Sequence, residues 1–215
     1  MTSLRERQKE RRRQDILDAA WGLFGERGVE NTSIEEIATK AEVGPATVYN
    51  YFGSKTDLLH ALLARYIEEE AKKGEESLGS PPELMADGMA ALFEAYLEGT
   101  ASRCTPTLIR EFYMLAMSVR LDYGRQTYAM KKVFLDQTLR LVTFYKERGQ
   151  IRDDVSAEEA AMVCYSAVTL PFMLFALDIG IDLDMARQQV RRCIVLAISG
   201  IGPRVTSRDE TQHDA

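Results

Sequence analysis

Apolar residues recur along almost the whole chain at the three- and four-residue spacing of a helix with one buried stripe. Ile16, Ala20, Leu23 and Phe24 form the inward face of a first helix that stops at Gly28. Thr32 and Glu35 have capping-box spacing and predict a second, short helix with Ile34, Ile37, Ala38 and Ala41 inward. Gly44 and Pro45 read as the cap and first position of a third short helix. Gly53 ends it, and Ser54 caps a long fourth helix carried by Leu58, Leu59, Leu62, Leu63, Tyr66 and Ile67.

The polar stretch from Lys72 to Pro82, with Gly74 and Gly79, is expected to end that helix. Further amphipathic segments follow. Thr105-Pro106 is a cap and first-turn pair, Gly149 follows a helix end, and Ser156 with Glu159 is another capping box. Pro171 interrupts an apolar helix and is expected to kink it, and Asp182 or Asp184 caps the last one, which fades between Gly200 and Pro203. No stretch alternates as a strand does, and no internal repeat is visible. The predicted fold is all-α: a small domain over 10–70, a larger helical bundle over 71–203, and a disordered polar tail over 204–215.

Charge changes the picture because it is uneven. The net charge is −6, yet Arg5, Arg7, Lys9, Arg11, Arg12 and Arg13 meet only Glu6 and Glu10 in the first 13 residues. A basic arm on an acidic body suits phosphate contact where it touches, while the body resists nonspecific adhesion. The same pattern also fits a solvated helix start. Cys104, Cys164 and Cys193 are distant and odd in number, and with His60 and His213 give no zinc spacing. They read as small buried hydrophobes, with a redox-sensing thiol as the alternative. No apolar run approaches the ~20 residues that span a bilayer. The N-terminal residues are too polar for a secretory segment, so no membrane partner and a cytoplasmic setting are expected.

The two short helices carry the sharpest signal. With Ile37, Val43, Val48 and Phe52 as apolar pins and Ala38 at the close crossing, the residues left outward are Thr32, Ser33, Pro45, Ala46, Thr47, Tyr49, Asn50 and Tyr51. Short side chains let a helix approach base edges in a major groove. Tyrosine hydroxyls, Lys55 and free helix N-terminal amides suit phosphate oxygens, which position without specifying.

Thr32-Ser33, Ile37-Ala38, Val43, Thr47-Val48-Tyr49, Tyr51-Phe52 and Ser54-Lys55-Thr56-Asp57-Leu58-Leu59 resemble the DNA-binding domain of the tetracycline-repressor (TetR) family of bacterial regulators. The resemblance implies a helix-turn-helix at about 33–52, with Thr32 or Ser33 capping the second helix at a phosphate. Pro45, Ala46 and Thr47 would meet base edges or sugar, Tyr49 and Lys55 the backbone, and Asn50 and Tyr51 either. Two positions depart from the family: Glu42 stands where glycine is common, and Gly44 where serine or threonine is. A left-handed Glu42 would carry roughly 1–2 kcal/mol of strain.

For the larger domain the resemblance implies homodimerisation and a small-molecule pocket. The last two helices, with Ala160, Val163, Cys164, Ala167 and Val168 on one and Val190, Ile194, Ala197, Ile198 and Ile201 on the other, are candidates for the dimer seam. Closure of the subunit's own core fits their pattern equally. Phe93, Tyr96, Phe112, Tyr113, Met117, Phe134, Tyr165 and Phe172 are candidate ligand contacts, beside Met173, with Thr138 and Thr169 as orienting polar groups. Each also fits ordinary core. Glu111 suits a cationic ligand or the surface.

The expected function is a ligand-responsive regulator, most simply a repressor. It would bind double-stranded operator DNA as a homodimer and be released by a small apolar or amphipathic effector. An activator or a thiol-switched regulator of the same fold is the alternative. No nucleophile–base pair, metal cluster or phosphate-cradling glycine loop suggests an enzyme, and no cofactor is implied.

Overall fold

The computed structural model describes residues 3–116 and 121–202, excluding the side chains of 99–103 and 116–131. The candidate contact Met117 and the tail over 204–215 lie outside the described residues. The helices are α1 (Leu4–Arg27), α2 (Ile34–Lys40), α3 (Pro45–Phe52), α4 (Lys55–Leu78), α5 (Met85–Arg103), α6 (Pro106–Ala116), α7 (Leu121–Lys146), α8 (Ala157–Ala176) and α9 (Leu183–Ile201). No strand occurs among the described residues. The predicted all-α architecture is therefore present.

Local chemistry fixes most helix ends. Gly28 and Gly53 close α1 and α3 at φ 81° and 72°, values that a side chain disfavours. Ser54 accepts from the Asp57 amide at the start of α4, and Thr105 accepts from that of Leu108. Ser156 and Glu159 form the predicted reciprocal box, and Asp182 caps α9 through the Met185 amide. α8 continues through Pro171.

Three expectations are corrected. The box that opens α2 is Ser33 with Glu36, one residue later than Thr32 with Glu35. Both pairs have the right spacing, but Ser33 alone leaves Ile34, Ile37 and Ala38 facing the core. Second, α4 does not end near Lys72; it runs to Leu78. Its Gly74 is buried where α4 passes α5 and α7, and a Cβ there would overlap Tyr96 and Gln137. Packing thus recruits a glycine that reads as a breaker. Third, α8 is long and apolar enough to cross a bilayer by length and composition. It escapes a search for uninterrupted apolar runs because Ser166 and Thr169 interrupt it. In the fold it packs against α7 and α9.

Two apolar cores organise the chain. The first joins Ile16, Leu17, Ala20 and Phe24 of α1, Ile37 and Ala38 of α2, Val48 and Phe52 of α3, and Leu58, Leu59 and Leu62 of α4. Leu108, Ile109 and Phe112 of α6 enter the same core, and the Thr105 hydroxyl donates to the Gly25 carbonyl at 2.8 Å. The second core joins α5, α7, α8 and α9 through Met89, Leu92, Leu97, Val142, Tyr145, Cys164, Val190 and Ile194. Phe172 packs against both.

Candidate nucleic-acid interface

The exposed face of α3 exists because its other face is fully committed. Val48 and Phe52 are one helical turn apart and both buried, which leaves Tyr49 and Asn50 between them exposed. The turn leading into α3 is sharp. Ala41 caps α2, Glu42 takes φ 54°, and the Val43 amide donates to the Ala38 carbonyl at 2.9 Å. Glu42 thus adopts the left-handed conformation for which strain of roughly 1–2 kcal/mol is expected. Gly44 then caps α3 in extended conformation, and Pro45 fills the first position, where a missing amide proton costs nothing.

The outward set divides by accessibility. Pro45, Ala46, Tyr49 and Asn50 are exposed, Tyr49 by 49%. Thr47 and Tyr51 are half-buried, and the Tyr51 hydroxyl donates to the Lys9 carbonyl of α1 at 3.2 Å. Ser33 is half-buried at the start of α2, where its backbone and hydroxyl both donate to Glu36 Oε2, at 2.8 and 3.0 Å. These bonds hold the Glu36 carboxyl below its ordinary range, with a smaller contribution from Arg27, whose guanidinium lies 2.9 Å away. The α2 N-terminus is thus already occupied by a carboxylate of its own helix.

Two predicted contacts sit elsewhere than expected. Thr32 is only 2% exposed; its hydroxyl donates to the Gly28 carbonyl at 2.9 Å and lies 3.4 Å from that of Leu23. It locks the α1–α2 loop and does not face outward. Lys55 Nζ donates to the carbonyls of Val29 and Thr32 at 2.8 and 3.0 Å. A cation here satisfies two loop carbonyls, tying the first turn of α4 to the loop that positions α2. A basic residue at a helix start near exposed hydroxyls reads as a phosphate contact, while its acceptors here come from much earlier in the chain.

The candidate ligand residues do not form one cluster. Phe112 stacks 5.5 Å from Tyr66 and 5.7 Å from Trp21 in the first core, with Tyr113 packed beside it. Phe93, Tyr96, Phe134 and Thr138 belong with the second core or its lining, where Tyr96 meets Phe134 edge-on at 4.6 Å and Phe134 lies 5.7 Å from Tyr165. Thr138 donates to the Phe134 carbonyl of its own helix, and exposed Thr169 does the same to Tyr165. Neither hydroxyl is turned to an orienting role, and Thr169 faces out beside Leu170. Burial pushes the Tyr96, Tyr113 and Tyr165 hydroxyls above their ordinary range.

Gln137 is the polar residue that the sequence pattern passed over. It accepts from the Tyr96 hydroxyl at 2.5 Å and donates to Ala71 O and Glu75 Oε1 at 2.9 and 3.0 Å. It therefore ties the aromatic row to α4. A lone amide on the otherwise apolar Phe134–Leu141 face was the available signal.

A helix-turn-helix head on a helical body is the class that this geometry defines. Residues 16–62 match the model of bacterial regulatory proteins of the tetR family. The chain is 35% identical over 107 residues to the HTH-type transcriptional regulator HbdR of Aromatoleum sp. (strain CIB), covering 46% of this chain and 47% of HbdR. It is 40% identical over 75 residues to the HTH-type transcriptional repressor KstR of Rhodococcus jostii, covering 35% of each. The matches thus span half or less of these relatives' length. The fold superposes on the transcriptional regulator FadR of Bacillus subtilis, solved with stearoyl-CoA, at TM-score 0.71 and 20% identity, covering 87% of this chain and 98% of FadR. The sequence match to that family thus lies in the head, over residues 16–62.

Proposed function

We propose that the chain is a ligand-responsive transcriptional repressor that binds a near-palindromic operator as a homodimer. The observation that carries this reading is the α3 face: Pro45, Ala46, Tyr49 and Asn50 stand free on a short helix pinned from behind by Val48 and Phe52. Ala46 and Pro45 allow close approach to base edges, and Tyr49 has reach to a phosphate. Thr47 and Tyr51 flank the contact, and Ser33 lies at the start of α2, where its own hydrogen bonds go to Glu36.

Dimerisation is supported by the α8–α9 face, where Met162, Val163, Leu170, Val195 and Leu196 are exposed. An operator-bound two-fold dimer requires its two α3 helices about one DNA turn apart, ~34–36 Å, on a palindromic site. The effector is an apolar or amphipathic molecule meeting the row Tyr96, Phe134 and Tyr165, with Phe93 and Phe172 beside it. The stearoyl-CoA bound by Bacillus subtilis FadR is a precedent for that chemistry on this fold. A differential affinity of about 1–3 kcal/mol between the two head spacings shifts operator binding roughly 5–150-fold. Thiol switching has less support, because Cys104 and Cys164 are buried and burial pushes the Cys164 thiol up to about 11.

Fluorescence anisotropy with a duplex from the chain's own promoter region tests the reading. Binding at least 100-fold tighter than to a scrambled duplex is expected. Equal affinity for the two would overturn it.

A further inference from the structure

We infer that the first turns of α1 and the side of α3 form a second track for the phosphodiester backbone, outside the base-reading face. This inference rests on the DNA-binding reading above and extends it to residues outside the helix-turn-helix. The basic run is not a free arm: Ser3 and Glu6 form a reciprocal capping box, so the helix starts at Leu4. Arg5, Lys9 and Arg12 then fall four and three residues apart, on one face. With Gln8, Asn50 and Tyr51 they line an open groove of about 310 Å³ between α1 and α3.

Three observations make this groove a polyanion site. Its walls are fixed to each other, by the Tyr51 hydroxyl on the Lys9 carbonyl and by the Arg13 guanidinium 5.6 Å over the Phe52 ring. Its cations are uncompensated: among the described residues Arg5, Lys9 and Arg12 form no ion pair, while Glu6 is held by Ser3 and Glu10 by Arg13 and Gln14. No carboxylate lines it. It is also continuous with the α3 face, because Asn50 and Tyr51 belong to both. Three cations, an amide and a phenol bordering a base-reading helix match the oxygens of a strand running past that helix.

The test uses the full-length protein, the promoter duplex and an unrelated duplex, measured from 50 to 300 mM salt. For R5Q/K9Q/R12Q the slope of log affinity against log salt is expected to become shallower by about two to three. Affinity at 0.1 M salt is expected to fall roughly 100-fold, by the same factor on both duplexes. The control R7Q/R11Q, on another side of α1, is expected to leave the slope nearly unchanged. An unchanged slope in the triple variant overturns the track, as does an equal loss per charge in the control, which would indicate a diffuse field. A falling promoter-to-unrelated ratio also overturns it, since it would show that these residues read bases. Wild-type protein that binds neither duplex sinks the regulator reading itself, and the track with it.

Discussion

The α3 face and the α8–α9 face are both open to solvent, yet they are built from opposite materials. On α3 the free residues are small or polar: Pro45, Ala46, Tyr49 and Asn50. On α8 and α9 they are long and apolar, with Leu196 71% exposed and Met162, Leu170 and Val195 each more than half exposed. Water tolerates the first surface and penalises the second, whose exposed apolar side chains are of the kind that mark protein contact. One molecule thus carries a small, polar surface that suits a hydrated polyanion and an apolar one that suits a protein partner. The difference teaches that exposure alone says little; what is exposed names the partner.

Ala46→Glu breaks the comparison most severely. It places a carboxylate against the phosphates and closes the approach to the groove, so promoter affinity is expected to fall more than 100-fold. Circular dichroism and thermal midpoint should stay within about 2 °C of wild type, because surface changes of this kind are usually within ±0.5 kcal/mol. Next comes L170E/L196E, which brings like charges together across a two-fold seam. Light scattering at micromolar concentration should change from dimer to monomer, with operator affinity dropping at least tenfold. A dimer that survives both charges would move the seam elsewhere.

Lys55→Met sharpens the assignment inside the head. As a tie between Val29 and Thr32 carbonyls it is expected to cost about 1.5–3 kcal/mol in urea unfolding. A phosphate contact would instead lower the salt slope by about 0.9 with stability intact. Ser33→Ala should cost about 1 kcal/mol as a lost cap. The smallest effect concerns His60, buried on α4, where burial lowers its pKa against a weaker opposing pull from Asp57. The unfolded chain then takes up the proton first, near pH 6.5, while the folded form still excludes it. Stability is expected to fall as pH drops below about 6.5 and to level off below the folded value; His60→Gln should flatten that segment in pH-dependent urea titrations.

Much of the head could be read from residues alone, since its constraints are local. Gly28, Gly44-Pro45, Gly53-Ser54 and the pins Ile37, Val48 and Phe52 each have a job settled within a few positions. Where two neighbours offered the same chemistry, spacing could not choose: Thr32 and Ser33 both fit a cap. The inward rotation of Thr32 toward Gly28 decided it. The bonds of Lys55 were hidden for a similar reason, because its acceptors lie 26 and 23 residues earlier. In the body the obstacle is greater. Gly74 looks like a terminator until Tyr96 and Gln137 are placed against it, and the aromatic residues look like one pocket until they separate between two cores. Those facts belong to long-range packing, which amphipathic spacing does not encode.

Phe172 is claimed by both interiors, and this makes it a mechanical commons. A ring that fills space on two sides cannot be reoriented for one without leaving a void for the other. A change in its rotamer therefore alters the packing of both interiors at once.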